Sequence, residues 1–71
     1  RKYRFKAFAD GIQFVNRIAV LADQYDHHPL IAIDYKLVTL RLSSWNAGGL
    51  TDLDLKMAAE MNEIFTAMKN A

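Results

Sequence analysis

The sequence is poor in the residues that usually cross-link a small protein. It has no cysteine, two histidines and a single proline in 71 residues. The absence of cysteine excludes disulfide bonds and thiolate metal sites, and two histidines with a few carboxylates are a sparse ligand set for a structural metal. Because a chain this short buries only a modest share of its surface, we expect one domain, residues 1–71, that gains stability by oligomerisation.

The chain also lacks a marked excess of either charge and any long apolar run. Nine basic and eight acidic residues leave a formal net charge of +1, which argues against a general nucleic-acid or membrane-surface binder. No apolar stretch approaches the roughly 20 residues of a membrane span, and no signal peptide is visible at Arg1. We therefore expect a cytoplasmic protein that contacts neither nucleic acid directly nor a membrane.

Two stretches have the periodicity of amphipathic helices. The first runs from Phe8 to about Tyr25. The second follows Thr51, a favourable N-cap, and Asp54 three residues later resembles a capping box with aspartate in place of glutamate. The second helix carries methionines on its apolar stripe, which can form an adaptable binding surface, although helical spacing favours core or an oligomer interface. That stripe consists of Leu53, Met57, Met61, Ile64, Phe65 and Met68.

Three further stretches are typical of β-strands. Residues 2–6 alternate between basic and aromatic side chains, which predicts a strand with one buried face. Residues 30–42 predict two strands joined tightly near Tyr35 and Lys36, and a loop follows at 43–49. The order β-α-β-β-α indicates an α+β domain with two helices on one face of an antiparallel sheet. The other sheet face, or a sheet edge, is a candidate for self-association.

The first predicted strand is rich in basic residues, since four of the nine lie in the first six positions. One interpretation is a patch for phosphate or for an acidic partner. The other is the solvated face of an edge strand, where lysine discourages unwanted pairing. The sequence favours the second interpretation, because the alternation of basic and aromatic residues does not continue beyond this strand.

Asp26-His27-His28-Pro29 is the most distinctive stretch, because it holds both histidines and the only proline. Pro29 cannot continue the first helix, so the histidines lie just past its C-terminus, where the helix dipole favours imidazolium. Three alternative roles are consistent with this position: the imidazoles satisfy backbone carbonyls at the helix end, bind a metal, or transfer protons in catalysis. Metal binding is disfavoured, because adjacent side chains diverge and no third histidine or cysteine exists. Asp23, one turn before His27, would orient an imidazole and bias its tautomer.

These residues belong to a longer pattern of fixed spacings. In chain order the pattern is Asp23-x3-His27-His28-Pro29-x5-Tyr35-x9-Trp45-x8-Asp54. It resembles the signature of the pterin-4a-carbinolamine dehydratase family. The resemblance covers nearly the whole chain and extends to Phe5-Lys6-Ala7-Phe8, Phe14-Val15-Asn16-Arg17 and Ala47-Gly48-Gly49-Leu50-Thr51.

The resemblance implies a reaction, an assembly and a set of site residues. Family members dehydrate 4a-hydroxytetrahydrobiopterin to quinonoid dihydropterin without a metal or organic cofactor, and their subunits pair through sheets into homodimers or, through helices, homotetramers. Carried over by position, His27 and His28 would be the acid/base pair, supported by Asp23. Asp54 is interpreted mainly as a helix cap. The residues implied to contact the pterin are Asp26, His27, His28, Ser43, Ser44, Trp45 and Asn46.

Trp45 departs from well-studied active members, which have a third histidine there. Indole can donate a hydrogen bond or stack on a pterin but cannot act as a base. The expected function is therefore a dehydratase of reduced rate. The alternative is a protein-binding relative, either an assembly factor for RuBisCO in carboxysomes or a dimerisation cofactor of a homeodomain transcription factor. The intact His27-His28-Pro29 favours the enzyme.

Overall fold

The structure, a computed structural model, describes residues 1–42 and 51–69. Its elements are β1 (Lys2–Arg4), α1 (Phe8–Tyr25), β2 (Leu30–Asp34), β3 (Leu37–Arg41) and α2 (Asp52–Lys69). The predicted α+β class and β-α-β-β-α order are confirmed. The predicted loop at 43–49 lies outside the described residues. Within the described part of the chain, no helix is long and apolar enough to cross a membrane.

The three strands form an antiparallel sheet in the order β1-β3-β2. Val38, in the central strand, pairs with Tyr3 of β1 on one side and with Ile33 of β2 on the other. Val38 and Tyr3 are buried, whereas Ile33 is 43% exposed, and the other residues of β2 are exposed as well. The helices therefore cover β1 and β3 and leave β2 as an uncovered edge.

The turn between β2 and β3 uses an unexpected residue. Tyr35 adopts the left-handed region at φ 51°, which costs a residue other than glycine roughly 1–2 kcal/mol. Its ring stacks on Phe8 with 6.5 Å between centroids, and Lys36 Nζ lies 5.0 Å from the Tyr35 centroid. These contacts offset part of the backbone cost and let the hairpin close without glycine or asparagine.

The core lies between the sheet and the two helices. Phe14 of α1 is fully buried, and its ring centroid lies 4.9 Å from that of Tyr3 and 6.0 Å from that of Phe65. Gly11 also faces the sheet, and a Cβ there would lie 3.3 Å from Val38 Cγ2. The glycine that weakens the helix locally therefore allows α1 to approach β3 closely.

The methionine stripe of α2 contributes directly to this core. Met57 is fully buried, and Met61 is 2% exposed. Further along the helix, Ile64 and Met68 are partly buried against the same cluster. The prediction that the methionine stripe belongs to the core is confirmed for Met57 and Met61. The packing places the N-terminus of α2 beside the C-terminal end of α1.

Candidate functional site

The C-terminal end of α1 positions the two histidines. The helix ends at Tyr25, and Asp26 adopts the left-handed conformation with φ 48° and ψ 44°. The backbone N–H of Asp26 donates to the Asp23 carbonyl at 3.2 Å, and that of His27 donates to the Ala22 carbonyl at 3.1 Å. This helix-terminating turn directs the chain away from the helix axis. The backbone of His27 is fixed by its hydrogen bond to Ala22, and Pro29 biases the next residue, His28, toward extended geometry.

The N-terminal end of α2 supplies the opposite side of the site. The Thr51 N–H donates to Asp54 Oδ2 at 2.9 Å, and the Thr51 hydroxyl donates to the same oxygen at 3.3 Å. In return the Asp54 N–H donates to Thr51 Oγ1 at 3.3 Å. These reciprocal bonds are those of a capping box, so the predicted helix start is confirmed.

The two helix ends meet through a histidine–carboxylate pair. His27 Nε2 donates to Asp54 Oδ1, the carboxylate oxygen that Thr51 does not occupy. The Asp54 side chain is fully buried, and that of His27 is 18% exposed. A buried carboxylate requires hydrogen-bonded partners, and Asp54 has them on both oxygens. The interpretation of Asp54 as mainly a helix cap was therefore incomplete, since the same carboxylate also holds His27.

A second, exposed pair lies beside the first. His28 Nε2 donates to Asp23 Oδ1 at 3.0 Å, with 59% of the histidine side chain and 80% of the aspartate side chain exposed. Asp23 therefore contacts His28 rather than His27. The turn at Asp26 ends the helical spacing that would have placed residues 23 and 27 on one face. An exposed pair of this kind contributes about 0–1 kcal/mol, so it orients His28 more than it stabilises the fold.

Both pairs present the same ring atom for chemistry. With both carboxylates ionised and therefore only accepting hydrogen bonds, Nε2 is the protonated nitrogen of each histidine, and Nδ1 is the nitrogen left to exchange a proton. Within residues 1–42 and 51–69, no three His, Asp or Glu side chains are grouped as they would be around a metal ion. The geometry thus offers two adjacent imidazoles with assigned tautomers, one rigid and one exposed.

A cavity of about 520 Å³ reaches the buried carboxylate from the side of the sheet. Asp54 lines it together with polar side chains that include Arg1, Tyr3 and Asn62. Asn62 Oδ1 accepts hydrogen bonds from the Tyr3 hydroxyl at 2.5 Å and from Arg1 at 2.6 Å. Burial raises the pKa of Tyr3, and the neighbouring Arg1 opposes that shift. The volume is within the roughly 300–1,000 Å³ of small-molecule sites.

The structure brings together part of the predicted site. His27, His28 and Asp23 lie side by side, and Asp26 is the exposed residue of the turn between them. The second predicted pterin-contacting segment lies outside the described residues; it consists of Ser43, Ser44, Trp45 and Asn46. Sequence reasoning missed the contact between His27 and Asp54. The signal that could have indicated it was Asp54's fixed place in the histidine-containing pattern.

Comparisons with known proteins agree with the motif. The family described as pterin 4 alpha carbinolamine dehydratase matches residues 1–64. A provisionally named pterin-4-alpha-carbinolamine dehydratase of Koribacter versatilis is 50% identical over 90% of this chain and 68% of its own length. A protein of the same provisional name from Mycolicibacterium smegmatis is 44% identical over 93% of this chain and 70% of its own.

A solved structure supports the same relationship. The crystal structure of a transcriptional coactivator/pterin dehydratase from Brucella melitensis superposes with a TM-score of 0.85 and 38% sequence identity. The alignment covers 90% of this chain and 68% of the Brucella chain. The fold, the histidine-containing motif and the sequence identity therefore indicate the same family, over about 90% of this chain.

Proposed function

The chain belongs to the pterin-4-alpha-carbinolamine dehydratase family, and from this premise we propose that it dehydrates 4a-hydroxytetrahydropterins by histidine acid/base catalysis. The observation that carries the proposal is the pairing of His27 with the buried carboxylate of Asp54. A site that transfers protons needs an imidazole held in one orientation and one tautomer. Asp54, itself held by Thr51, provides both.

The reaction needs one proton given and one proton taken. The bond between C4a and the hydroxyl oxygen breaks, and the oxygen leaves as water after receiving a proton. The electron pair of the adjacent ring N–H bond becomes the second bond between that nitrogen and C4a, and its proton passes to a base. One histidine, protonated at both ring nitrogens, gives its Nδ1 proton to the leaving oxygen, and the other, unprotonated at Nδ1, takes the proton of the ring nitrogen. Proton exchange with water then returns both imidazoles to their starting states. We assign these steps to His27 and His28.

The remaining site residues have supporting roles in this proposal. Asp23 orients His28, and Asp26 adjoins the pterin on the same turn. Ser43, Ser44, Trp45 and Asn46 would complete the pterin site, with Trp45 stacking on the ring rather than transferring a proton.

A second function is favoured by the Brucella structure, whose protein is called a transcriptional coactivator as well as a pterin dehydratase. In this alternative, the fold binds a protein partner and turnover is weak or absent. The partner would be a transcription factor or RuBisCO. Trp45 fits this alternative, because indole cannot replace a basic imidazole.

The two functions are separated by assaying dehydration of chemically generated 4a-hydroxytetrahydropterin through its ultraviolet absorbance. We expect measurable turnover in the unaltered protein, a loss of about 10²–10⁴-fold in His27→Ala and in His28→Ala, and a gain in Trp45→His. Gln24→Ala, an exposed neighbour on α1, is the control and should retain full turnover. A folded protein without turnover would reject the enzyme and support the protein-binding alternative.

A further inference from the structure

A second cavity, of about 550 Å³, lies at the other end of the helix pair. We call it the basic cavity, because its rim carries Arg4, Lys6, Arg17 and Lys69. These cations come from the end of β1 and the residues just after it, from the middle of α1 and from the last turn of α2. The alternation of basic and aromatic residues at 2–6 does not indicate this cluster of four cations, because Arg17 and Lys69 come from distant parts of the chain.

The charge of the basic cavity is not balanced locally. Asp10 is the one acidic residue that lines it, and none of the four rim cations forms an ion pair with a carboxylate of residues 1–42 or 51–69. The whole chain has nine basic and eight acidic residues. Without the four cations and Asp10, the remainder would be acidic. The excess positive charge of this protein is therefore concentrated at one concave surface.

The floor of the basic cavity is aromatic and apolar. Phe5 and Phe65 line it with their ring centroids 5.3 Å apart, and Met68 lies beside them. All three side chains are only partly buried. Lys69 Nζ is 5.8 Å from the Phe65 centroid, so charge and ring adjoin directly. A ligand with a flat apolar part and an anionic part matches both features.

The basic cavity is separate from the histidine site. Asp54 lies in the first turn of α2 and Lys69 at its end, a distance of roughly 22 Å at the helical rise of 1.5 Å per residue. Likewise Arg17 precedes the C-terminal turn that positions His27. A molecule in the basic cavity therefore does not occupy the candidate catalytic site.

We propose that the basic cavity binds a phosphate ester of a small planar molecule, such as a nucleoside monophosphate. Arginine and lysine together are suited to phosphate oxygens, because guanidinium binds them in a bidentate manner and ammonium binds them as a point charge. The planar part would pack on Phe5 and Phe65, displacing water from partly exposed rings. The cavity volume is that of a small-molecule site.

The test is a titration of the ¹⁵N-labelled protein with adenosine monophosphate, ribose 5-phosphate and adenosine, followed by amide chemical shifts. We expect adenosine monophosphate to bind most tightly, ribose 5-phosphate more weakly and adenosine undetectably. The shifts should lie at residues 4–6, 10–17 and 65–69 and should spare His27 and Asp54. Added salt should weaken the binding of both phosphates.

Charge-matched double variants make the test specific. Arg17→Gln with Lys69→Gln removes two rim cations and should raise the Kd for adenosine monophosphate by roughly tenfold or more. Lys2→Gln with Lys56→Gln removes two exposed cations outside the basic cavity and should leave the Kd unchanged. All four residues are exposed, so both variants should fold, as their amide spectra will show.

Three results would overturn the proposal. The first is no saturable binding of adenosine monophosphate, and the second is an equal rise in Kd in both double variants, which would indicate only general electrostatic attraction. The third is equal affinity for ribose 5-phosphate and adenosine monophosphate, which would reject a planar ligand. The proposal is independent of the dehydratase assay, since the two rim cations that the test removes, Arg17 and Lys69, lie away from His27 and Asp54.

Discussion

At the scale of single residues, Asp54 has two tasks that few side chains could combine. One carboxylate oxygen receives both Thr51 donors and caps α2, and the other holds His27. The carboxylate is fully buried, and its orientation is therefore set by these bonds. Stability at the start of α2 and orientation of the imidazole are thus coupled through one side chain.

This coupling predicts that Thr51→Val affects both stability and turnover. The substitution keeps the shape of the side chain but removes the hydroxyl that caps α2 and contacts Asp54. We expect the free energy of unfolding to fall by about 1 kcal/mol, measured by urea denaturation, and dehydration to slow severalfold. Thr66→Val, at an exposed position of the same helix, is the control. A stability loss with unchanged turnover would limit Thr51 to capping.

Tyr3 predicts a dependence of stability on alkaline pH. Burial raises its pKa above the ordinary 10.0, against the opposing influence of Arg1. Since the folded state favours the neutral phenol, the contribution is complete below the unfolded pKa and is lost as the pH rises through the folded pKa. The unfolding free energy should therefore decline from about pH 10 upward, and less steeply in Tyr3→Phe.

Urea denaturation at several pH values from about 9 to about 11 measures this slope. Tyr35→Phe, on the exposed turn, is the control and should retain the slope of the unaltered protein. Tyr25, whose pKa is raised by its hydrogen bond to Glu60, accounts for slope that remains in Tyr3→Phe. An identical slope in Tyr3→Phe and the unaltered protein would contradict the assignment.

At the scale of elements, the helices were predictable because each has local signals at its ends. The period of the apolar residues and Pro29 indicated α1, and Thr51 with Asp54 indicated the start of α2. Strand alternation likewise indicated that Tyr3 is buried. These features depend on residues within a few positions of one another, which is the range that a sequence pattern describes.

The pairing within the site could not be predicted in the same way. His27 and Asp54 are 27 residues apart, and their contact depends on how α1 and α2 pack across the sheet. Asp23 contacts His28 because Asp26 adopts a left-handed conformation, which helical spacing does not indicate. β2 is exposed because the helices pack over β1 and β3, which the apolar residues of β2 do not indicate.

The packing of α2 predicts unequal effects along one helix. Met57 is fully buried, whereas Leu55, two positions before it, is 59% exposed. Met57→Ala should reduce the free energy of unfolding by about 2–5 kcal/mol. Leu55→Ala should change it by less than about 0.5 kcal/mol. Urea denaturation of both variants checks this, and similar losses in the two would show that α2 packs in another orientation.

At the scale of the whole molecule, the sheet has an edge that the described elements do not cover. β2 pairs only with β3 among residues 1–42 and 51–69, and Leu30, Ile31 and Ile33 on it are exposed. Unpaired backbone groups beside apolar side chains favour pairing with another strand. We therefore propose that the protein forms homodimers through β2, and that helix contacts between dimers would give tetramers.

The proposal predicts that Ile33→Lys yields a smaller species in analytical ultracentrifugation at equal protein concentration. A charged side chain at the strand edge opposes edge-to-edge pairing. Val20→Lys, which introduces the same change at an exposed position of α1, should leave the dimer intact. Dissociation by Val20→Lys alone would place the interface on the helix rather than on β2.

The central claim is that His27, held by the buried carboxylate of Asp54, transfers protons in the dehydration together with His28. The most direct measurement is kcat for Asp54→Asn beside Asp23→Asn. The amide keeps the size of the carboxylate, but it presents a donor as well as an acceptor and so no longer fixes which imidazole nitrogen carries the proton. We expect kcat to fall by about 10²-fold or more in Asp54→Asn, because the imidazole loses its fixed tautomer, and by less than about tenfold in Asp23→Asn, whose pair is exposed. Circular dichroism establishes that both variants are folded. A folded Asp54→Asn protein with unchanged kcat, or a larger loss in Asp23→Asn, would contradict the account.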